Sequence, residues 1–151
     1  MKNKNNLFNK YLFLFVVGGL IYMLIELVWR QHTHWSMGLL GGICFIELGL
    51  INEILPWNMS LIKQILIGTI IVTINEFIAG LILNVWLKWD IWDYSHLPLN
   101  IMGQVCIPFC FLWTFVVAFG IFVDDYVRYK YFGEGLPRYR IGKKVFYPIK
   151  K

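Results

Sequence analysis

Apolar side chains run almost unbroken through four stretches of this 151-residue chain: Tyr11–Trp29, Met37–Leu55, Leu61–Leu87 and Ile101–Val123. Each is close to the roughly 20 residues that a bilayer's hydrocarbon core demands of a helix. The pattern predicts an all-α fold, a polytopic bundle of four transmembrane helices. The third run is the longest and must tilt or extend beyond the hydrocarbon. The connections are short. Residues 30–36 (RQHTHWS) and 56–60 (PWNMS) read as tight turns, with Pro56 ending the second helix. Residues 88–100 (KWDIWDYSHLPLN) form the one sizeable loop, in which Trp89 and Trp92 suit a membrane interface. The first run reads as a retained span. A signal peptide would be followed by a small-residue cleavage site, and Glu26-Leu-Val-Trp-Arg30 is a poor one. The division expected is a short N-terminus at 1–10, a membrane domain at 11–123 and a basic, aromatic tail at 124–151.

Composition agrees with the pattern. Charged residues make up 15% of the chain, against about 25% in soluble domains, too few to cover a water-soluble core. The net charge of +5 does not point to nucleic acid, because eleven of the fourteen Lys and Arg lie in the first ten residues or after Asp125. Lys2, Lys4 and Lys10 precede the first span and eight more, Arg128 to Lys151, follow the fourth. The loops on the opposite side hold Arg30 and Lys88. Eleven against two is a strong positive-inside bias, so both termini are expected in the cytoplasm of a multi-pass cell-membrane protein. The tail interleaves Tyr126, Tyr129, Tyr131, Phe132, Tyr139, Phe146 and Tyr147 with basic residues; it reads equally as a segment lying along the anionic inner leaflet and as an ordinary stop-transfer anchor. Asn58-Met59-Ser60 fits a glycosylation sequon, but it adjoins a helix start on the inner face and reads as chance. Cys44, Cys106 and Cys110 lie inside apolar runs, match no disulfide or metal framework, and read as packing residues.

Polar residues inside the spans carry the candidate chemistry, because an acid at mid-bilayer costs about 2.5–3.5 kcal/mol on the insertion scale. Four glutamates fall there. Glu26 precedes Arg30 by four residues, the spacing of an ion pair on one helix face. Glu53, at the inner end of the second helix, has Lys63 across a short turn. Glu47 and Glu76 sit mid-helix without a basic residue at their depth. Thr69, Thr73, Glu76, Gly80 and Asn84 form a polar, small-residue stripe down the third helix. The fourth offers a matching face of Gly103, Cys106, Cys110, Trp113, Val117 and Gly120, with Pro108 expected to kink it. Asn100 and Gln104 lie at its outer end. Most reactive side chains gather on the outer face: Asp90, Asp93, Tyr94, Ser95 and His96 in the long loop, and His32 and His34 beside Arg30. A metal could be imagined on His32, His34, His96 and Asp93. Three scattered loop histidines read instead as interfacial or solvated, and no metal or cofactor is expected. The adjacency of Asp93, Ser95 and His96 does not place them in triad geometry.

Glu76-Phe77, then Trp92-Asp93-Tyr94-Ser95, Pro98, Asn100, Gly103, Cys106 and Trp113, resemble a bacterial family of small membrane proteins described as putative ABC-transporter type IV, or putative ABC transporter permease. Its members show a Glu-aromatic pair in a helix, a Trp-Asp-Tyr-Ser loop, then Asn-x-x-Gly-Arg-x-Cys opening a helix that later holds Trp. The resemblance covers about 40 residues, Glu76 to Trp113, and Tyr22 to Glu26 is similar to the family's aromatic-Glu start. The family's Arg after the glycine is Gln104 here, which would leave Glu76 or Asp93 without a charged partner. An Arg-Gly-Phe and Gly-Pro…Pro-Ile-Tyr-Gly stretch is replaced by residues 36–43 (SMGLLGGI). No Gly-x-x-x-x-Gly-Lys-Ser/Thr loop is present, so the resemblance implies that any ATPase is a separate polypeptide.

The sequence therefore leads to a transporter- or permease-type component with an outward-facing polar pocket between helices 1, 3 and 4. Its expected solute or proton groups are Glu26, Arg30, Glu76, Asp93, Tyr94, Asn100 and Gln104, with Gly80, Gly103, Cys106, Cys110 and Trp113 packing the helices. A membrane-embedded enzyme acting on a lipid or outer-face substrate would use Glu26, Glu76 and Asp93 as acid–base groups. A holin-like pore or interaction subunit would use the same residues as assembly glue. Expected partners are the bilayer, a separate ATPase subunit or further copies of the chain, and not nucleic acid. The charge bias argues against a small multidrug exporter that inserts in both orientations, which needs near-balanced charge.

Overall fold

A computed structural model describes residues 4–56 and 58–149. Lys2, Lys150, Lys151 and the turn residue Trp57 lie outside the described residues. Four long apolar helices, each able to cross a membrane by length and composition, make up most of the structure. They are α1 (Lys4–Arg30), α2 (Trp35–Ile54), α3 (Leu61–Gly80) and α4 (Ile107–Phe132). The last turns of α3 continue as a π-helical segment, Leu81–Trp86. Two small hairpins complete the fold: β1 (Asn100–Ile101) with β2 (Val105–Cys106), and β3 (Tyr139–Ile141) with β4 (Lys144–Phe146).

Local chemistry sets these boundaries. The His34 ring accepts from the Ser36 N–H at the start of α2, and the Ser60 hydroxyl accepts from the Lys63 N–H at the start of α3. Each satisfies one of the donors that a helix start leaves unpaired. Pro56 follows the last residues of α2 and cannot extend them. Gly133 ends α4 in the left-handed conformation (φ 64°), where a Cβ would be strained.

The fourth apolar run, expected to be helical from Ile101, begins instead as the β1–β2 hairpin; α4 starts at Ile107 and extends past Val123 to Phe132. Pro108, expected as a kink, stands in the first turn of α4, where its missing N–H would have had no partner. The stripe on α3 also differs. The buried row is Gln64, Gly68, Val72, Glu76, Gly80 and Asn84, in four-residue steps, the i±4 ridge that fits a neighbouring helix groove. Thr69 returns its hydroxyl to the Ile65 carbonyl at 2.9 Å, and Thr73 donates to Cys110 Sγ at 3.6 Å. Both are only half-buried.

The first two helices form the tightest pair. Gly18 and Gly19 of α1 face Gly38, Gly41 and Gly42 of α2, and a Cβ on Gly42 would lie 2.7 Å from the Phe15 carbonyl oxygen. Such small-residue crossings suit membranes, where dispersion contacts must drive association because lipid offers helices no hydrophobic incentive to leave it. The central core brings Leu40, Leu48, Val72, Trp113, Val117 and Ile121 together from α2, α3 and α4. In contrast, α1 and α4 barely meet. They touch through Phe13 against Tyr131 and Phe132 and through Tyr22 stacked on Trp113 at 5.7 Å. Between them, toward the end carrying the 87–106 loop (the loop end), a groove remains. The opposite end carries the start of α1, the end of α4 and the β3–β4 hairpin and is called the terminal end. Gly42→Leu is expected to force α1 and α2 apart and to destabilise the bundle by about 1–3 kcal/mol. The midpoint of unfolding in mixed detergent micelles checks this, with Gly42→Ala giving a smaller shift in the same direction.

Candidate functional site

The long loop is held on the bundle by one asparagine. Asn84, buried in the π-helical segment, donates to the Trp92 carbonyl at 3.0 Å and to Gln104 Oε1 at 2.9 Å, and accepts from the Ile91 N–H at 2.8 Å. Trp92 is buried, not interfacial as its loop position implied, and its indole donates to the Gln104 carbonyl at 2.9 Å. Gln104 Nε2 in turn donates to the Met102 carbonyl at 2.8 Å. These contacts retain a backbone in which four non-glycine residues, Lys88, Asp90, Leu99 and Met102, adopt positive φ, each at a steric cost of about 1–2 kcal/mol.

The Trp-Asp-Tyr-Ser segment divides its work. Asp93 is exposed and accepts from the Ser95 N–H at 2.8 Å and the Ser95 hydroxyl at 2.9 Å. Those two donors hold its carboxyl below the ordinary 3.8. What the carboxylate adds to this turn is therefore complete above that value and is lost as pH falls through the lowered one. Asn100 stabilises the same loop, donating to the Ser95 and Leu97 carbonyls at 3.1 and 2.9 Å and accepting from the Gly103 N–H at 3.0 Å. Tyr94 points the other way, into the bundle. Its ring stacks on Phe109 at 4.3 Å and its hydroxyl donates to Glu76 Oε1 at 3.2 Å. Burial first, and then the Glu76 carboxylate, push the phenol above its ordinary value, so it remains a donor.

Glu76 is 2% exposed. Its second oxygen accepts from the Trp113 indole N–H at 2.7 Å. One carboxyl group thus joins α3, α4 and the long loop. The stacked Tyr22–Trp113 pair brings α1 alongside. Tyr22, Tyr94 and Trp113 also line the groove between α1 and α4, which encloses about 540 Å³ and is walled by Ile25, Phe109, Val116 and other apolar side chains. Its charged lining residues are Glu26 and Arg30. They form an ion pair, Arg30 also donates to the Ile91 carbonyl at 3.0 Å, and Glu26 accepts from the Thr33 hydroxyl at 2.7 Å.

The structure therefore brings Glu76, Tyr94 and Trp113 together and places Glu26 and Arg30 along the same groove. It does not gather the remaining sequence candidates there. Asp93 and Asn100 stay within their own loop, and Gln104 pairs with Asn84; none of the three lines the groove. Both oxygens of Glu76 are partnered without a charge at position 104. Gly80 lies directly against Gln104, and Gly103 beside Asp93 and Ser95. Cys106 is buried and Cys110 half-buried, both as free thiols. Glu47 accepts from Asn75 on α3. His32 contacts the Arg30 carbonyl and His34 caps α2. Among the described residues no His, Cys, Asp and Glu are grouped to hold a metal.

A second polar cluster, at the terminal end, was not foreseen. Glu53 meets not Lys63, which is exposed, but Lys10 at 2.9 Å, the Tyr11 hydroxyl at 3.0 Å and Arg128. Arg128 Nε donates to Asp124 at 2.6 Å, and Asp124 is fully buried. Asn52 donates to both oxygens of Asp125 at 3.0 and 2.9 Å, and Tyr139 adds a third hydrogen bond at 2.6 Å. Ending the fourth span at Val123 excluded Asp124 and Asp125 from the acids that need partners. The Asp124-x-x-x-Arg128 spacing was the available signal.

These features define a multi-pass α-helical membrane protein with a carboxyl group at its centre. The chain belongs to the family described as "Putative ABC-transporter type IV", whose model matches residues 11–134. No curated protein and no solved structure matches it. Asn84→Leu is expected to leave the Ile91 N–H, the Trp92 carbonyl and Gln104 Oε1 unpaired, each at about 1–3 kcal/mol where buried. Hydrogen exchange at Ile91 should accelerate and the thermal midpoint in detergent should fall.

Proposed function

We propose that this chain is a permease-type transport component, with both termini in the cytoplasm and the groove between α1 and α4 as its solute site. The observation that carries this reading is Glu76. A carboxyl group deep in a membrane bundle is costly, and here its three aromatic neighbours, Tyr22, Tyr94 and Trp113, are also walls of the groove. A solute entering the groove contacts the same side chains that hold Glu76, so occupancy and the carboxyl's hydrogen bonds are coupled. Membership of an ABC-transporter family supports the reading, and the sequence has no nucleotide-binding loop, so energy comes from a separate ATPase or from proton movement through Glu76. The positive-inside bias sets the loop end, and with it the Glu26–Arg30 side of the groove, toward the outside. An acid–base enzyme has less support, because Glu26 is ion-paired and Asp93 turns onto Ser95.

Glu76→Gln keeps the shape of the side chain but replaces an acceptor of two donors with an amide. In membrane vesicles producing the chain, any solute whose accumulation depends on it should stop accumulating with Glu76→Gln, while the protein level stays unchanged. Unaltered accumulation, or dye leakage that persists unchanged in the variant, would favour a pore or a purely structural carboxyl. Orientation has its own test: a reporter active only in the cytoplasm should be active when fused after the tail and silent when inserted at His96. The reverse result would invert the bundle.

A further inference from the structure

We propose that the β3–β4 hairpin is an interfacial foot that binds anionic lipid headgroups beside the terminal end of the bundle. After Gly133 the chain does not continue away from α4 but turns back. Tyr139 is buried, its ring edge-on to Phe122 at 4.7 Å and its hydroxyl on Asp125. Phe122 and Asp125 lie ten and seven residues before the end of α4, so the fold-back returns the chain by about 10–15 Å at the rise of an α-helix. That level is also the start of α3, where Ser60 bridges to Arg140. The hairpin therefore lies where the apolar spans end, not beyond them.

The pairing register then fixes which side chains face the bilayer. Tyr139 pairs with Phe146, and Ile141 with Lys144. Directly paired residues share a face and so do alternate residues of one strand, so Tyr139, Ile141, Phe146 and Lys144 occupy one face. Since Tyr139 points into the bundle, Ile141 and Phe146 point the same way, past its edge, into the region that lipid fills. Ile141 and Phe146 are about half exposed, and so is Val145 on the opposite face, so it is the pairing register and not exposure that assigns Ile141 and Phe146 to the headgroup boundary. Lys144 shares that face and Lys143 lies in the turn, both exposed, within reach of lipid phosphates. Arg140 and Val145 occupy the opposite face. Apolar groups turned toward the acyl boundary with ammonium groups beside them match an anionic leaflet better than an acidic protein, which would not accommodate Ile141 and Phe146 at this depth.

The test uses the full chain in nanodiscs of phosphatidylcholine with and without phosphatidylglycerol. In a background of Cys44→Ala, Cys106→Ala and Cys110→Ala, nitroxides are attached to Ile141→Cys, Val145→Cys or Phe146→Cys. With phosphatidylglycerol, labels at 141 and 146 should be relaxed more by oxygen than by a water-soluble nickel chelate, and the label at 145 should show the opposite. Lys143→Glu with Lys144→Glu should reduce that contrast several-fold. Equal chelate access at 145 and 146, or a contrast indifferent to phosphatidylglycerol, would overturn the proposal. The unsubstituted chain gives a second reading. Acylation of Lys143 and Lys144 by a water-soluble ester, followed by mass spectrometry, should slow several-fold when phosphatidylglycerol is present while Lys88 is unaffected; equal slowing at Lys88, or none at either tail lysine, overturns it equally.

Discussion

Lipid offers no hydrogen bonds, so every polar side chain inside this bundle must find its partner within the protein. The Glu76 carboxyl meets that constraint with an indole from α4 and a phenol from the long loop, so burying one acid requires α3, α4 and residues 92–94 to be in register. Asn84 extends the same logic one helical turn beyond Gly80, committing both amide donors and its carbonyl oxygen to the backbone and side chains of the loop. The loop is ordered because the helix beneath it could not otherwise carry its polar residues.

The same constraint explains the gap between α1 and α4. Polar ties link α3 to α4, and α2 to α4, whereas at the loop end α1 is tied by Arg30 and Glu26 to the loop and to itself. Glycines then draw α1 onto α2. With its small-residue face committed there, α1 presents only larger side chains toward α4, and the two separate above the Tyr22–Trp113 contact. The groove results from where α1 finds its closest partner. Its walls are aromatic and aliphatic because those positions would otherwise face lipid.

At the terminal end, charge takes the place of a single hydrogen-bonded acid. Lys10 from α1, Glu53 from α2, Asp124 and Arg128 from α4 and Glu134 beyond it form one ionic group. Asp125 with Asn52 and Tyr139 adds the tail. Within this ionic group Asp124 and Arg128 are buried while Glu53 and Glu134 reach the surface, so removing either buried member leaves the other without its buried counter-charge. Sequence reasoning missed it because the relevant residues are far apart in the chain and lie at the margin of the apolar runs, where the span boundary was drawn too early.

The chain's own pattern was sufficient for four helices, their short turns and the family, because length and uninterrupted apolarity are local properties that a bilayer-spanning helix must have. It also offered Glu76 and Tyr94 as pocket candidates and Trp113 as a packing residue, without the hydrogen bonds that join the three. It did not reveal that Asp93, Asn100 and Gln104 serve the loop and not the groove, since neighbours in sequence can point to opposite sides of one turn. Nor did it show that residues 100–106 form a hairpin or that Tyr139 returns to α4, because both depend on contacts that span turns and helix ends. Which polar group meets which is a matter of relative helix position, and only the packed bundle decides that.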